Sequence, residues 1–232
     1  AAFSALARVF LTGLSGRADD WAPAIYALAV LTLVVGSVVA VVQTDVKRML
    51  AYSSISHAGF ILVGLEAATH SSDSDSVLGL SSISSYLFIY SLLVIGTFAV
   101  VSVVLGEGDA TLDSFKGLGK SNPVLALALT VLLLAQAGVP ITSGFIAKFG
   151  VIRAVVSVES YPLAIVAMVA AVIAAFLYLR ITVSMWMQES VHISRGQRSI
   201  AGRLVILLVV GISLVIGFFP SGLLRFTTSL SL

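Results

Sequence analysis

Lys148 is the residue in this sequence with the clearest capacity for chemistry. It is the only charged residue between Pro123 and Ile152, a run of 30 residues. An ammonium at membrane depth costs roughly 2.5 kcal/mol or more, and proteins tolerate it where it lines a hydrated path or meets a buried partner. Lys148 therefore indicates the handling of protons or other ions. The alternative is a lysine that snorkels to the membrane interface.

The same apolar run carries signals for a broken helix. As one straight helix it would be about 45 Å long, whereas a hydrocarbon core is about 30 Å thick. Gly138 and Pro140 interrupt it, and a proline inside a helix removes an internal hydrogen bond. Thr142 and Ser143 follow, and their hydroxyls, with the freed carbonyls, could hold water or an ion. We therefore expect an unwound segment near Lys148.

His57 is the second candidate, because it falls near the middle of another apolar run. Histidine titrates closest to physiological pH and can pass protons. Ser53 precedes it by one helical turn on the same face. The alternative is a neutral histidine that hydrogen-bonds to a neighbouring helix. Tyr178, in a later run, could join the same polar network.

Other polar residues receive structural interpretations. Asp45 is expected to cap the helix that follows it, and the charges around it to act as topological anchors. Arg180 is interpreted as a snorkelling residue. Glu66 is expected to be solvated at a helix end, and His70 and His192 to lie in loops without a role in a site.

The composition defines the class of protein that must position these residues. The chain has 232 residues, of which 59% are hydrophobic and 10% charged, with a mean hydropathy of +1.10. Soluble domains contain about 25% charged residues. The sequence therefore predicts an all-α fold, a polytopic transmembrane helix bundle with one discontinuous helix, and a single domain over residues 1–232.

Several kinds of site are excluded by composition. The absence of cysteine removes disulfides, iron–sulfur clusters and thiolate metal sites. The three histidines are too far apart in sequence to suggest a metal site. No nucleotide-binding motif is present, and a net charge of +2 gives no indication of nucleic-acid binding.

The apolar runs predict the end of one span followed by six complete spans. Their bounds are residues 1–14, 21–44, 49–67, 77–105, 123–158, 161–188 and 203–219. The chain starts inside a helical pattern without a methionine or a signal peptide. We therefore expect it to be the C-terminal part of a longer polypeptide.

Basic residues are distributed unequally between the predicted loops. Seven lie on one side of the membrane and three on the other, namely Lys47, Arg48, Lys116, Lys120, Arg195, Arg198 and Arg203 against Arg17, Arg153 and Arg225. The positive-inside rule makes the first side cytoplasmic and places the C-terminus outside. On the inner side, Leu112, Phe115 and Leu118 predict a short amphipathic helix along the membrane surface.

Two motifs resemble a known family. Residues 43–60 (QTDVKRMLAYSSISHAGF) and 137–149 (AGVPITSGFIAKF) are similar to the antiporter-like membrane subunits of proton-pumping NADH–quinone oxidoreductase, respiratory complex I. The GFIAKF ending most resembles subunit N, because the sister subunit M has a glutamate in place of Lys148. The loop sequence around Lys116 resembles subunit N as well.

The resemblance implies a fold and a set of site residues. Family members have fourteen spans with both termini outside, so this chain would be the C-terminal half. Lys148 and His57 would belong to a line of titratable residues that water connects across the membrane. From the residues themselves, we expect support by ordering water or shaping the helix break from Gly138, Pro140, Thr142, Ser143, Ser53 and Tyr178. Further family lysines and a glutamate would lie upstream of this sequence.

The function implied is a proton-translocating subunit of the NADH:quinone oxidoreductase enzyme, with no redox chemistry in this chain. FMN and iron–sulfur clusters are expected in other subunits. The expected partners are other membrane subunits of complex I, especially the neighbouring antiporter-like subunit, and the lipid bilayer of the bacterial cytoplasmic membrane. Two alternatives are a subunit of a multisubunit sodium/proton antiporter and a purely structural subunit of a hydrogenase-like complex.

Overall fold

The described residues form a bundle of helices joined by short connections. The structure is a computed structural model that describes residues 2–70, 73–106, 108–189 and 200–230. Its α-helices are α1 (Ala2–Arg8), α2 (Ala18–Val42), α3 (Val46–Thr69), α4 (Asp73–Leu105), α5 (Leu118–Ser121), α6 (Pro123–Ala137), α7 (Ser143–Ser157), α8 (Tyr161–Met187), α9 (Ile200–Phe218) and α10 (Ser221–Leu230). Short π-helical and 3₁₀ turns, Val9–Gly13, Ser15–Arg17 and Leu112–Phe115, supplement them.

Five helical segments of the described chain are long and apolar enough to cross a membrane. They are Ser15–Val42, Val46–Thr69, Gly79–Leu105, Tyr161–Met187 and Ala201–Phe218. Helices α6 and α7 have 15 residues each, which gives each a length of about 22 Å, less than the hydrocarbon core. The predicted crossing at residues 123–158 is therefore made of two half-helices in sequence. This arrangement confirms the predicted polytopic helical fold.

One end of the bundle is fixed around the connection between α2 and α3. Asp45 accepts a hydrogen bond from the backbone N–H of Arg48 at 2.9 Å, so the predicted helix cap is present. Arg180, expected to snorkel, extends toward this end, where its Nη1 donates to the carbonyls of Val41 (3.0 Å) and Gln43 (3.1 Å). The last carbonyls of a helix lack partners within it, and an arginine fork satisfies them.

The loop at residues 106–122 differs from the prediction of a helix along the membrane surface. It contains a 3₁₀ turn and the four-residue α5, and both Phe115 and Leu118 are buried in the protein. Val46 N–H donates to the carbonyl of Ala110 at 2.7 Å, and Leu112 N–H donates to the carbonyl of Thr44 at 3.1 Å. These bonds hold the loop against the α2–α3 connection, so its apolar side chains pack inward.

The antiparallel helices separate the charged residues into two ends. We call the end with Lys47, Arg48, Lys116, Lys120 and Arg203 the basic end, and the end with Asp19, Asp20, Glu66 and Glu159 the acidic end. Arg195, Arg198 and His192 lie outside the described residues. Helix α10, which was not predicted from the sequence, follows Pro220 at the acidic end.

Candidate functional site

The site is centred on the break between α6 and α7. Helix α6 ends at Ala137, and Gly138 takes a φ of +87°, with its N–H bonded to the carbonyls of Leu134 and Ala135. Glycine is the residue that adopts this left-handed backbone at no steric cost. Ile141 also has a positive φ, +74°, which is a strained conformation for a β-branched residue. The predicted break is therefore present.

The two half-helices approach each other closely at Gly144. A Cβ atom at this position would lie 1.7 Å from the carbonyl oxygen of Ala135. No side chain fits in that space, and the obstacle is backbone that cannot rotate away. Gly144 therefore lets the first turn of α7 lie directly against the last turn of α6.

The side chain of Lys148 returns to this break. Its exposed fraction is 6%, and its Nζ donates to the carbonyl of Ala137 at 3.0 Å. The nitrogen also lies 5.2 Å from the ring centroid of Phe60, within the range of a cation–π contact. Its position is buried in the bundle, in contrast to the extended side chain that snorkelling requires.

The partner of Lys148 is a neutral group. Ala137 is the last residue of α6, where unpaired carbonyls carry a partial negative charge. Among the described residues, no carboxylate oxygen lies within 4.0 Å of Nζ. An ammonium has three donors, and the described protein contacts use one of them. The other two are available to water.

His57 lies between two tyrosines. Its exposed fraction is 5%; Nδ1 hydrogen-bonds with the Tyr86 hydroxyl at 2.7 Å and Nε2 with that of Tyr178 at 3.0 Å. Tyr178 also hydrogen-bonds with Ser53. The imidazole stacks on Tyr90, with ring centroids 4.4 Å apart. Both ring nitrogens thus have partners, in a chain of hydroxyls that runs between α3, α4 and α8.

His57, Ser53 and Tyr178 were predicted from the sequence, whereas Tyr86 and Tyr90 were not. The two tyrosines are four residues apart on α4, so they lie on one helical face, and this spacing was the available signal. A buried tyrosine needs a partner for its O–H, so two tyrosines on one face of a membrane-spanning helix indicate a polar contact.

Phe60 connects the histidine cluster to the lysine. Its ring stacks on Tyr86 with centroids 5.9 Å apart and lies 6.5 Å from the His57 ring. No direct hydrogen bond joins Lys148 to His57 in the part of the chain described. A small cavity lies between α3, α4 and α7, lined by His57, Tyr86, Ile89, Tyr90, Leu93, Gly144 and Ala147. Its volume is about 10 Å³, close to the minimum for one water molecule.

The hydroxyls that were expected to order water at the break have protein partners. Thr142 Oγ1 donates to the carbonyl of Val139 at 2.6 Å. Ser143 is buried and hydrogen-bonds with Ser213 of α9 at 2.7 Å. Pro140 lies on the exposed side of the connection. Ser143 therefore ties the start of α7 to its neighbour, and Pro140 and Thr142 shape the break itself.

Glu66 is the clearest departure from the sequence analysis. It was expected to be solvated, but its exposed fraction is 3%. It is buried because the start of α8 covers it, where Ser160 Oγ donates to its Oε1 at 3.3 Å. His70, expected to have no role, places Nε2 at 3.5 Å from the same oxygen.

Comparison with known proteins places these observations in a family. The family described as NADH:quinone oxidoreductase/Mrp antiporter, TM, matches residues 1–174. The chain belongs to this family. The resemblance that the two motifs predicted is therefore confirmed.

Individual relatives and solved structures show what the chain is similar to. NADH-quinone oxidoreductase subunit N of Parafrankia sp. is 42% identical over 99% of this chain and 43% of its own length. A chain of respiratory complex I from Thermus thermophilus superposes with a TM-score of 0.74 at 26% identity, covering 88% of this chain and 45% of that one. A chain of the Mrp complex from Dietzia sp. gives a TM-score of 0.86 at 20% identity, covering 99% and 50%. The chain thus spans less than half the length of the Parafrankia subunit N and about half that of the Mrp chain.

Proposed function

We propose that this chain is the C-terminal part of a proton-translocating membrane subunit of NADH–quinone oxidoreductase. The proposal is supported by the relatives, which are named as subunit N of that enzyme, and by the buried Lys148. The likeness to the Mrp chain at 20% identity concerns the fold alone. No observation on the described residues favours sodium transport over proton transport.

The observation that carries the proposal is the neutral environment of the buried lysine. Lys148 Nζ donates one hydrogen bond to a carbonyl, and its two other N–H groups remain for water. A proton that leaves this nitrogen leaves a neutral amine beside a neutral carbonyl. We infer that Lys148 binds and releases a transported proton, and that waters join it to the rest of the path.

His57 would pass protons toward Lys148. A neutral imidazole has one N–H and one acceptor nitrogen, and the tyrosine hydroxyls on both sides can donate or accept. A proton taken up at one nitrogen and lost at the other leaves the imidazole in its other tautomer. Rotation of the hydroxyls and return of the ring to its first tautomer complete the cycle. The small cavity beside Gly144 is where a water molecule would continue the path toward α7.

The remaining parts of the enzyme would lie in other chains. Redox groups such as FMN and iron–sulfur clusters belong to other subunits in this proposal, and the energy reaches this chain as an electrostatic change. The neighbouring antiporter-like subunit is the proposed partner in the membrane. The location is the bacterial cytoplasmic membrane, with the basic end inside and the C-terminus outside, because positive charge is retained on the cytoplasmic side.

The test is Lys148→Met in the whole subunit, assembled in the complete enzyme in membrane vesicles. Methionine has a similar length and no charge, so packing is largely kept while the proton-binding nitrogen is lost. We expect fewer protons translocated per NADH oxidised, and a smaller loss in Lys148→Arg, which keeps the charge.

The control is Lys120→Met, since the Lys120 side chain is 73% exposed at the basic end. Assembly is measured in each variant by the amount of complete complex in the membrane. A Lys148→Met enzyme that assembles and translocates the wild-type number of protons would refute the proposal and favour a structural subunit. Sodium-dependent transport without NADH oxidation would favour the antiporter alternative.

A further inference from the structure

Glu66 is a buried carboxyl group with one oxygen bonded and the other free. Oε1 faces Ser160 Oγ at 3.3 Å and His70 Nε2 at 3.5 Å. Oε2 is buried and has no hydrogen-bond partner. An unsatisfied buried polar atom is costly, and here the atom belongs to a group that can bind a proton.

Glu66 is one of the residues that line a cavity at the acidic end. The cavity lies between the start of α2 and the end of α3 and has a volume of about 330 Å³. Its lining residues are Asp19, Ala22, Pro23, Tyr26, Glu66 and His70. A water molecule takes about 30 Å³ of liquid, so several waters fit. The His70 side chain is half exposed at 49%, and this gives the cavity contact with the surface.

Both protonation states of Glu66 find support in this arrangement. As a carboxylate it faces the Ser160 hydroxyl and the N-terminus of α8, where a helix favours negative charge. As a carboxylic acid it carries no charge, which suits an oxygen such as Oε2 that is buried without a partner. The described ionisable groups around it are His70 on its own helix and Asp19 and Tyr26 on α2.

Glu66 lies between the lysine site and the acidic end of the bundle. It follows Phe60 by six residues on α3, a rise of about 9 Å toward the acidic end. Helix α7 runs from Lys148 in the same direction and leads to Ser160. Val63 and Val151 between them are buried and apolar, so water would have to bridge this interval.

We propose that Glu66, assisted by His70, is the group that releases transported protons at the acidic end. In one step a proton binds the carboxylate, and in the next it leaves to His70, whose half-exposed side chain lines the cavity, and from there to water. No other bond forms or breaks. This inference rests on the proposed function and names a group in that path that the two sequence motifs do not contain.

The experiment uses Glu66→Gln in the assembled enzyme. Glutamine keeps the shape and an acceptor for Ser160 but cannot release a proton. A positioned acid or base typically contributes 10²–10⁴-fold to proton transfer, so we expect proton release to slow by about tenfold or more. The infrared difference spectrum between resting and NADH-driven enzyme should lose one carboxyl band. The control is Glu159→Gln, at an exposed carboxylate of the same end, which should change neither.

The outcomes separate this inference from the proposed function. If Glu66→Gln keeps the wild-type release rate and infrared spectrum while Lys148→Met loses translocation, the release site is overturned and the proposed function stands. If Lys148→Met also translocates normally, the proposed function fails. If Glu66→Gln prevents assembly, His70→Gln replaces it. The His70 side chain is half exposed, and its replacement should slow proton release. An unchanged rate of proton release overturns the inference.

Discussion

Gly138→Ala tests whether the position of Lys148 at the helix break matters. Gly138 has a φ of +87°, and a left-handed backbone costs an L-residue roughly 1–2 kcal/mol. The new Cβ would lie 2.9 Å from Lys148 Cδ, which is too close for two carbon atoms. Because the lysine side chain is flexible, we expect it to move rather than the backbone.

The displaced lysine would lose its bond to Ala137. That bond is 3.0 Å long, and a hydrogen bond to a charged group contributes about 1.5–3 kcal/mol. Together with the backbone strain, the upper limit of the destabilisation is about 2.5–5 kcal/mol. The same displacement moves Nζ away from Phe60 and from the proposed water path.

Two further variants separate strain from displacement. Gly138→Asn also adds a Cβ, but asparagine enters the left-handed region several-fold more often than other residues. It should disturb Lys148 with a smaller loss of stability. Gly211→Ala is the control, because its Cβ would meet nothing within 4 Å.

The assays are the thermal stability of the purified enzyme and the number of protons translocated per NADH. We expect Gly138→Ala to lower both, Gly138→Asn to lower mainly translocation, and Gly211→Ala to lower neither. A Gly138→Ala enzyme with normal translocation would refute the reasoning, since the lysine would then work away from the break.

The remaining predictions concern the histidine cluster and the start of α7. His57→Gln keeps hydrogen-bonding groups but cannot take up a proton, so translocation per NADH should fall; an unchanged ratio would reduce His57 to a packing residue. Ser143→Ala and Ser213→Ala should each lower the free energy of unfolding by about 1 kcal/mol, because each leaves the other hydroxyl without its partner. The double variant should cost less than the two single losses combined, and strictly additive losses would contradict the 2.7 Å bond between them.

The sequence predicts the helices and the break well because their signals are local. Proline at helix starts, glycine at the end of α6 and Asp45 before α3 each act within one turn of their own position. Lys148 is conspicuous for a similar reason, since a single charge in a long apolar run is costly wherever the run is placed.

The partners of these residues could not be predicted from the sequence. Tyr86, Tyr90 and Tyr178 meet His57 from helices that are far apart in the chain. In a soluble helix the polar face shows which side is buried. In a membrane bundle both the lipid-facing and the core-facing sides are apolar, so that signal is weak. The burial of Glu66 depends on the start of α8 and was missed for the same reason.

The partners of the three titratable groups suggest why the helix is broken at this point. Lys148 meets a carbonyl, His57 meets two hydroxyls, and Glu66 meets a serine and a half-exposed histidine. Had Lys148 been paired with a carboxylate, losing its proton would leave an unpaired buried anion, which costs several kcal/mol. A carbonyl at the end of a half-helix attracts the cation through a partial charge only. The break between α6 and α7 therefore gives Lys148 a neutral partner, next to which it can release its proton. An intact helix would offer no such carbonyl.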